Sequence, residues 1–185
     1  KVNARCVVPG QMFAIWTPNR AAVLAKEPEH GLPGIEDIEF FGEFPIAELR
    51  YSDAKLPVRV EMQAFSPFVP ANAKDSGLPA IVYVFRVHNL SKTQTEVALM
   101  ATLQNAANYD GVGRIDGVRF AGYGGNVNQV VRVPGRTAVH MTLPTLSEQA
   151  AQYGSMTLSV LDGQADARAA WTDPEGLWAL FSSGR

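Results

Sequence analysis

Short runs in which apolar and polar residues alternate constrain the fold of this chain more than any other feature of its sequence. Residues 58–64 are the clearest case, because Val58, Val60 and Met62 alternate with Arg59 and other polar neighbours. This period places successive side chains on opposite faces of a β-strand. Strands covered on one face suit antiparallel pairing. The alternation recurs at 95–103, 127–133 and 156–160.

A further run, residues 80–88, is apolar on both faces before Arg86 and His88, so we expect a central strand there. Clusters of turn-forming residues separate these runs, which predicts an all-β fold, namely a two-sheet antiparallel β-sandwich. The length of 185 residues favours a single domain, and we expect that sandwich to span residues 1–185. The expected strands lie near 58–65, 80–88, 94–104, 126–133 and 155–161.

Helical signals are confined to two short segments. Thr145 and Glu148 have the spacing of a capping box, which predicts a two-turn helix that closes near Gly154. Asp173 followed by Pro174 predicts the start of a second helix, with Gly184 at its end. The apolar stripe of this second helix contains Leu177, Trp178 and Phe181. Such a stripe needs a sheet or another domain to lie against.

Charge and motif spacing argue against several classes of function. The net charge of −2 gives no reason to expect nucleic acid or anionic lipid as a partner, and no apolar run is long enough for membrane insertion. Cys6 is alone, and His30, His88 and His140 are scattered, so we expect no disulfide and no metal site. Glycine-rich phosphate loops and nucleophile elbows are missing, so we expect no cofactor.

One acidic stretch, which consists of Glu36, Asp37, Glu39 and Glu43, allows two interpretations. Paired carboxylates can perform acid–base chemistry, and two about 5 Å apart suit a retaining glycosidase. The interpretation that we favour is one of solvated charges beside core aromatics. The neighbouring apolar residues are Ile38, Phe40, Phe41 and Phe44.

The segment 65–70 contains two prolines, which prevent it from continuing a central strand. We therefore expect the chain to leave its sheet here and to form an ordered crossover loop that ends near residue 79. The alternative is that this loop forms a binding surface for a sugar or for a partner domain.

Several motifs resemble the N-terminal domain of glycoside hydrolase family 116, which includes bacterial β-glucosidases related to non-lysosomal glucosylceramidase. The most specific are FPIAELRY at 44–51, LPV at 56–58, AFSPFVP at 64–70 and DSGLP at 75–79. Weaker matches are VHN at 87–89, LQN at 103–105, YGSM at 153–156, and LW at 177–178 with Phe181 near Gly184. The resemblance covers about residues 36–185.

This resemblance implies a two-sheet β-sandwich whose parent protein is a retaining glycoside hydrolase of the β-glucosidase type. In the family the catalytic carboxylates belong to a C-terminal (α/α)6 barrel, so no catalytic residue transfers to this chain, and we expect it alone to be non-catalytic. It opens at Lys1 without the glycine-rich segment that usually precedes the sandwich, so we expect a piece of a longer chain or, as the alternative, a reduced, stand-alone relative. The expected partner is the catalytic domain of the same polypeptide, which it would brace and whose entrance it would shape. Candidate contact residues are Phe68, Val69 and Trp178.

Two alternatives remain at this point. An independent carbohydrate-binding module would stack glucoside rings on exposed aromatic side chains, for which the candidates are Trp171, Trp16, Tyr109 and Tyr123. A self-contained small enzyme would depend on the acidic stretch.

Overall fold

The computed structural model describes residues 10–109, 124–161, 165–171 and 173–184. These ranges contain ten β-strands in three antiparallel sheets and only two short α-helices, so the predicted all-β fold is confirmed. The chain divides into two compact units. Unit 1 comprises Lys1–Met12 and Ala101–Pro174, and unit 2 comprises Phe13–Met100 and Glu175–Arg185. The extent of a single domain over 1–185 stays a prediction.

The described part of the chain starts with a β-hairpin and continues into a four-stranded antiparallel sheet. The hairpin and the strand after the four-stranded sheet form a three-stranded sheet of order β2-β1-β7. The four-stranded sheet has the order β3-β4-β5-β6. The elements are β1 (Met12–Thr17), β2 (Arg20–Val23), β3 (Asp37–Glu43), β4 (Ile46–Ser52), β5 (Val58–Phe65), α1 (Ala73–Ser76), β6 (Val82–Asn89) and β7 (Ala98–Thr102).

A third sheet and a terminal helix complete the described structure. The sheet has the order β10-β9-β8 and lies in unit 1. The buried amide of Asn105 donates to the side chain of Asn128 at 2.8 Å and to the backbone carbonyl of Thr142 at 3.1 Å. This asparagine therefore links the segment that follows β7 to two strands of the third sheet by hydrogen bonds. The elements are β8 (Val127–Val133), β9 (Arg136–Thr142), β10 (Met156–Leu161) and α2 (Pro174–Ser182).

The core of unit 2 lies between the β1–β2 hairpin and one face of the four-stranded sheet. Ile15 and Leu24 are buried against Val60 and Met62 of β5. Phe13 extends the contact to β6, where its ring centroid lies 5.2 Å from that of Phe85. We call this side of the four-stranded sheet its inner face, and the opposite side its outer face. Two facing layers of strands are the arrangement expected of a sandwich.

The structure confirms some predicted elements and corrects others. Strands occur at all five predicted positions, and α2 begins at Pro174 as expected. The prediction that β6 is central is wrong, because within the described residues β6 pairs only with β5 and lies at the edge of its sheet. The valines on its outer face, which suggested a central strand, remain partly solvent-exposed. The helix predicted to end near Gly154 is wrong. Residues 143–153 instead form successive turns, with Leu146 bonded to Leu143 and Tyr153 to Ala150.

Candidate functional site

An exposed apolar surface lies at one end of the four-stranded sheet, where the β3–β4 turn meets the connection from β5 to β6. The last pairs of the register, Glu43 with Ile46 and Phe65 with Val82, place both connections at this end. The phenyl rings of Phe44 and Phe68 pack edge to face with centroids 5.2 Å apart. We call this surface the apolar end, and its members are Phe44, Ile46, Phe68, Val69, Leu78 and Ile81.

Local hydrogen bonds fix the connection from β5 to β6, which carries four of the six members of the apolar end. The Val69 backbone N–H donates to Ser76 Oγ at 2.9 Å, and this hydroxyl donates back to the Val69 carbonyl at 3.0 Å. Asn72 accepts from the Asp75 backbone N–H and caps α1. These bonds join both ends of residues 69–76, so the connection is held in place as predicted. It is not the predicted crossover, because β5 and β6 are antiparallel neighbours in one sheet and the segment is a long hairpin connection between them. Within this connection Phe68 is 51% exposed, and its neighbour across the surface, Phe44, is 82% exposed.

The aromatic residues of the acidic stretch are not core residues, so that part of the prediction is wrong. Phe40 is 66% exposed, and Phe41 is exposed under the guanidinium of Arg50, which lies 4.5 Å from its ring centroid. The reason is topological, because β3 is an edge strand and only Ile38 reaches the core cluster. The prediction of solvated charges holds for Glu39 and its acidic neighbours, which are exposed.

Two glutamates of the outer face have their own polar partners. Glu48 accepts hydrogen bonds from Gln63 Nε2 at 3.1 Å and from Arg50 Nε at 2.8 Å. Glu61 Oε2 lies 3.1 Å from His88 Nε2, and its other oxygen accepts from the Arg59 guanidinium at 3.1 Å. The hydrogen bond from Gln63 is the main cause that lowers the pKa of Glu48, and that from His88 is the main cause for Glu61. A glycosidase proton donor requires a raised pKa, so these two carboxyls are unsuited to that role.

The lowered pKa of Glu61 predicts a loss of stability in acid. Because its pKa in the folded chain lies below the ordinary value of 4.5, its stabilising contribution is complete above pH 4.5 and is lost as the pH falls through the folded pKa. Chemical denaturation at several pH values should show that Glu61→Gln flattens this part of the stability profile. Glu96→Gln, at an exposed position, is the control. An unchanged profile in Glu61→Gln would contradict the assignment.

Two shallow clefts of about 390 Å³ each lie beside the loop between β4 and β5. Both are lined by Asp53, whose buried carboxylate accepts from the Arg20 guanidinium at 2.6 Å and from the Lys55 backbone N–H at 2.8 Å. These contacts occupy both oxygens of Asp53. We therefore assign Asp53 and Arg20 a structural role, as an ion pair that joins two parts of the fold. No group of metal-ligating side chains occurs in the described ranges. Nor does any helix there have the length and apolarity needed to cross a membrane.

Comparison with known families decides what kind of domain this is. The family model described as "beta-glucosidase 2, glycosyl-hydrolase family 116 N-term" matches residues 7–182. The chain belongs to this family. A search of curated proteins finds no match. The apolar end is therefore a surface on the N-terminal domain of a family 116 glycoside hydrolase, and all of its residues except Ile81 lie in motifs that carried the resemblance.

The described aromatic candidates for sugar stacking in this family 116 domain each have a neighbour within the fold. The Trp16 indole N–H donates to the Ser182 carbonyl at 3.0 Å, and Gly184, at φ 75°, lies so close to this ring that a Cβ there would be only 2.5 Å away. Trp171 is half-buried, and a Cβ at Gly10 would lie 3.4 Å from its ring, which is an ordinary contact. Tyr109 is half-buried in a turn, and Tyr123 lies outside the described residues. Sugar stacking at these positions stays a prediction.

The candidate contact residues divide into two groups. Phe68 and Val69 belong to the apolar end, whereas Trp178 is a half-buried residue of α2 beside Phe181. The sequence reasoning missed Phe44 and Ile46 as members of this surface. The available signal was the proline between them, which marks a tight turn and so places its neighbours at a sheet end.

Proposed function

We propose that this chain is the non-catalytic N-terminal domain of a retaining β-glucosidase, and that it braces the catalytic domain of the same polypeptide and shapes the entrance to its active site. Membership of the family supports the kind of parent enzyme. Glucosides are then the substrates of the parent enzyme, and the contribution of this domain is structural.

The observation that carries the proposal is the apolar end. The rings of Phe44 and Phe68 are in contact, and Ile81, which precedes β6 at the same end of the sheet, is 60% exposed. A contiguous exposed apolar patch usually marks an interaction site. Aromatic residues at the centre of such a patch are typical anchors of a protein interface. The ordered loop reduces the entropic cost of binding, because the side chains are already positioned.

We propose Trp178 as a second contact with the catalytic domain, although its side chain is less exposed than those of the apolar end. It lies on α2, whose end is fixed to β1 by the Trp16 hydrogen bond. A partner that covers this helix would complete the burial of a ring that the described residues leave half-exposed.

The catalytic half of the proposal is tested with the 185-residue chain alone. Incubation with an aryl β-glucoside should give hydrolysis at the background rate, because retaining hydrolysis needs a nucleophile and a proton donor about 5 Å apart. Turnover that survives repurification and is abolished by Glu48→Gln or Glu61→Gln would contradict the proposal. Loss of turnover on repurification would identify a contaminant and support it.

A further inference from the structure

Strand β3 presents an acidic edge to the solvent. Residues 27–49 contain seven of the 18 acidic residues of the chain and neither lysine nor arginine. Asp37 is neutralised by Lys26 at 3.0 Å. Glu39 and Glu43 are exposed and make no ion pair with any described residue. Two exposed carboxylates, those of Glu39 and Glu43, therefore lie on the outer face of β3, and Arg50 of β4, which lies opposite Glu39, is bonded to Glu48.

The same strand has backbone groups available for pairing. All seven residues of β3 are in register with β4, and within the described ranges no strand pairs with its other side. Alternate residues of an edge strand direct their N–H and C=O groups away from the sheet. Edge strands are commonly protected by charged side chains, proline or a bulge. Of these β3 has only acidic side chains, which oppose an acidic partner strand but not a basic one.

We infer that β3 binds an extended segment of a partner by strand addition, and that this segment carries lysine or arginine two residues on either side of an apolar residue. Glu39, Phe41 and Glu43 share the outer face. An added strand would place basic side chains beside Glu39 and Glu43 and an apolar side chain beside Phe41. Opposite charges in such cross-strand positions stabilise a pair. This inference is independent of the proposed role of the apolar end.

A second copy of the same strand fits this edge poorly. Antiparallel pairing of two β3 strands centred on Phe41 would place Glu39 opposite Glu43 at both ends of the pair. Pairing centred on Phe40 would place Asp37 opposite Glu43 instead. Like charges in directly opposite positions are destabilising, so the acids of β3 favour a basic partner over self-association.

The test uses the 185-residue chain and the capped peptide Thr-Lys-Val-Ile-Val-Lys-Thr, with binding followed by backbone amide shifts in NMR. We expect shift changes that cluster at residues 39–43. A peptide of the same sequence with N-methyl groups on its three central residues keeps the charge but cannot form a strand pair, and it should not bind. The peptide with glutamate in place of both lysines should also fail to bind.

Charge reversal supplies the matched variants. Glu39→Lys combined with Glu43→Lys should lower the affinity for the basic peptide about tenfold. Glu27→Lys combined with Glu29→Lys changes the net charge equally outside β3 and should have little effect at physiological salt, where screening acts over about 8 Å. Equal binding of the N-methylated peptide, shifts away from β3, no binding at millimolar peptide, or dimerisation of the chain through β3 would each overturn the inference.

Discussion

Replacing Ile15 by alanine is expected to lower the free energy of unfolding by about 2–5 kcal/mol. Ile15 is 0% exposed, and it lies in the core cluster between the hairpin and the four-stranded sheet. Its truncation removes apolar contacts and leaves a cavity that close-packed neighbours fill only in part. Equilibrium unfolding in urea, followed by tryptophan fluorescence, measures the change.

The matched control is the same substitution at an exposed isoleucine. Ile81→Ala should change the free energy of unfolding by less than about 0.5 kcal/mol, because surface substitutions rarely do more. Similar losses in both variants would contradict the assignment of the core to the interface between β1–β2 and the four-stranded sheet.

The second large effect is expected at the apolar end. Phe44→Ser combined with Phe68→Ser should weaken the complex with the catalytic domain about a hundredfold, because buried aromatic anchors supply much of the energy of an interface. The stability of the chain itself should fall by less than about 1.5 kcal/mol, which is the contribution of one exposed aromatic pair. Titration calorimetry gives the affinity, and denaturation gives the stability.

Leu90→Ser is the control for this pair. Leu90 is also exposed and apolar, but it follows Asn89 at the opposite end of the same sheet, where Asn89 pairs with Val58. It should leave the affinity unchanged. An equal loss of affinity in Leu90→Ser, or full affinity in the double variant, would show that the apolar end is not the docking surface.

The strand with the clearest alternation in the sequence, β5, has one buried face. In β5, Val58, Val60 and Met62 are buried while their neighbours are not, so the alternation is strict. In β1, Ala14 and Ile15 are adjacent and both buried, and in β9 the same holds for Ala138 and Val139. Burial on both faces removes the period of two, so these strands were missed. The spacing of Thr145 and Glu148 matched a helix start, but no helix forms there. Forming the first helical turn is unfavourable, and a segment of only two turns adds too few further hydrogen bonds to offset that cost.

Exposure of the apolar end depends on tertiary structure more than on pattern. Phe68 was predictable as a contact because the flanking prolines take the chain out of the sheet. Phe44 and Phe40 are large apolar residues of the kind usually found in a core. They are exposed because the core cluster covers β3 only at Ile38. The sequence of one strand does not reveal how much of that strand the facing layer will cover. Hence the family resemblance indicated a partner domain, whereas the surface that we propose for its docking could be identified only from the fold.

The most direct test of the central claim is sedimentation velocity of this chain mixed with the catalytic domain encoded in the same gene. We expect one 1:1 species that carries the entire glucosidase activity, with no activity in the chain alone. Two species that sediment independently, or a gene that encodes no catalytic domain after this one, would contradict the account.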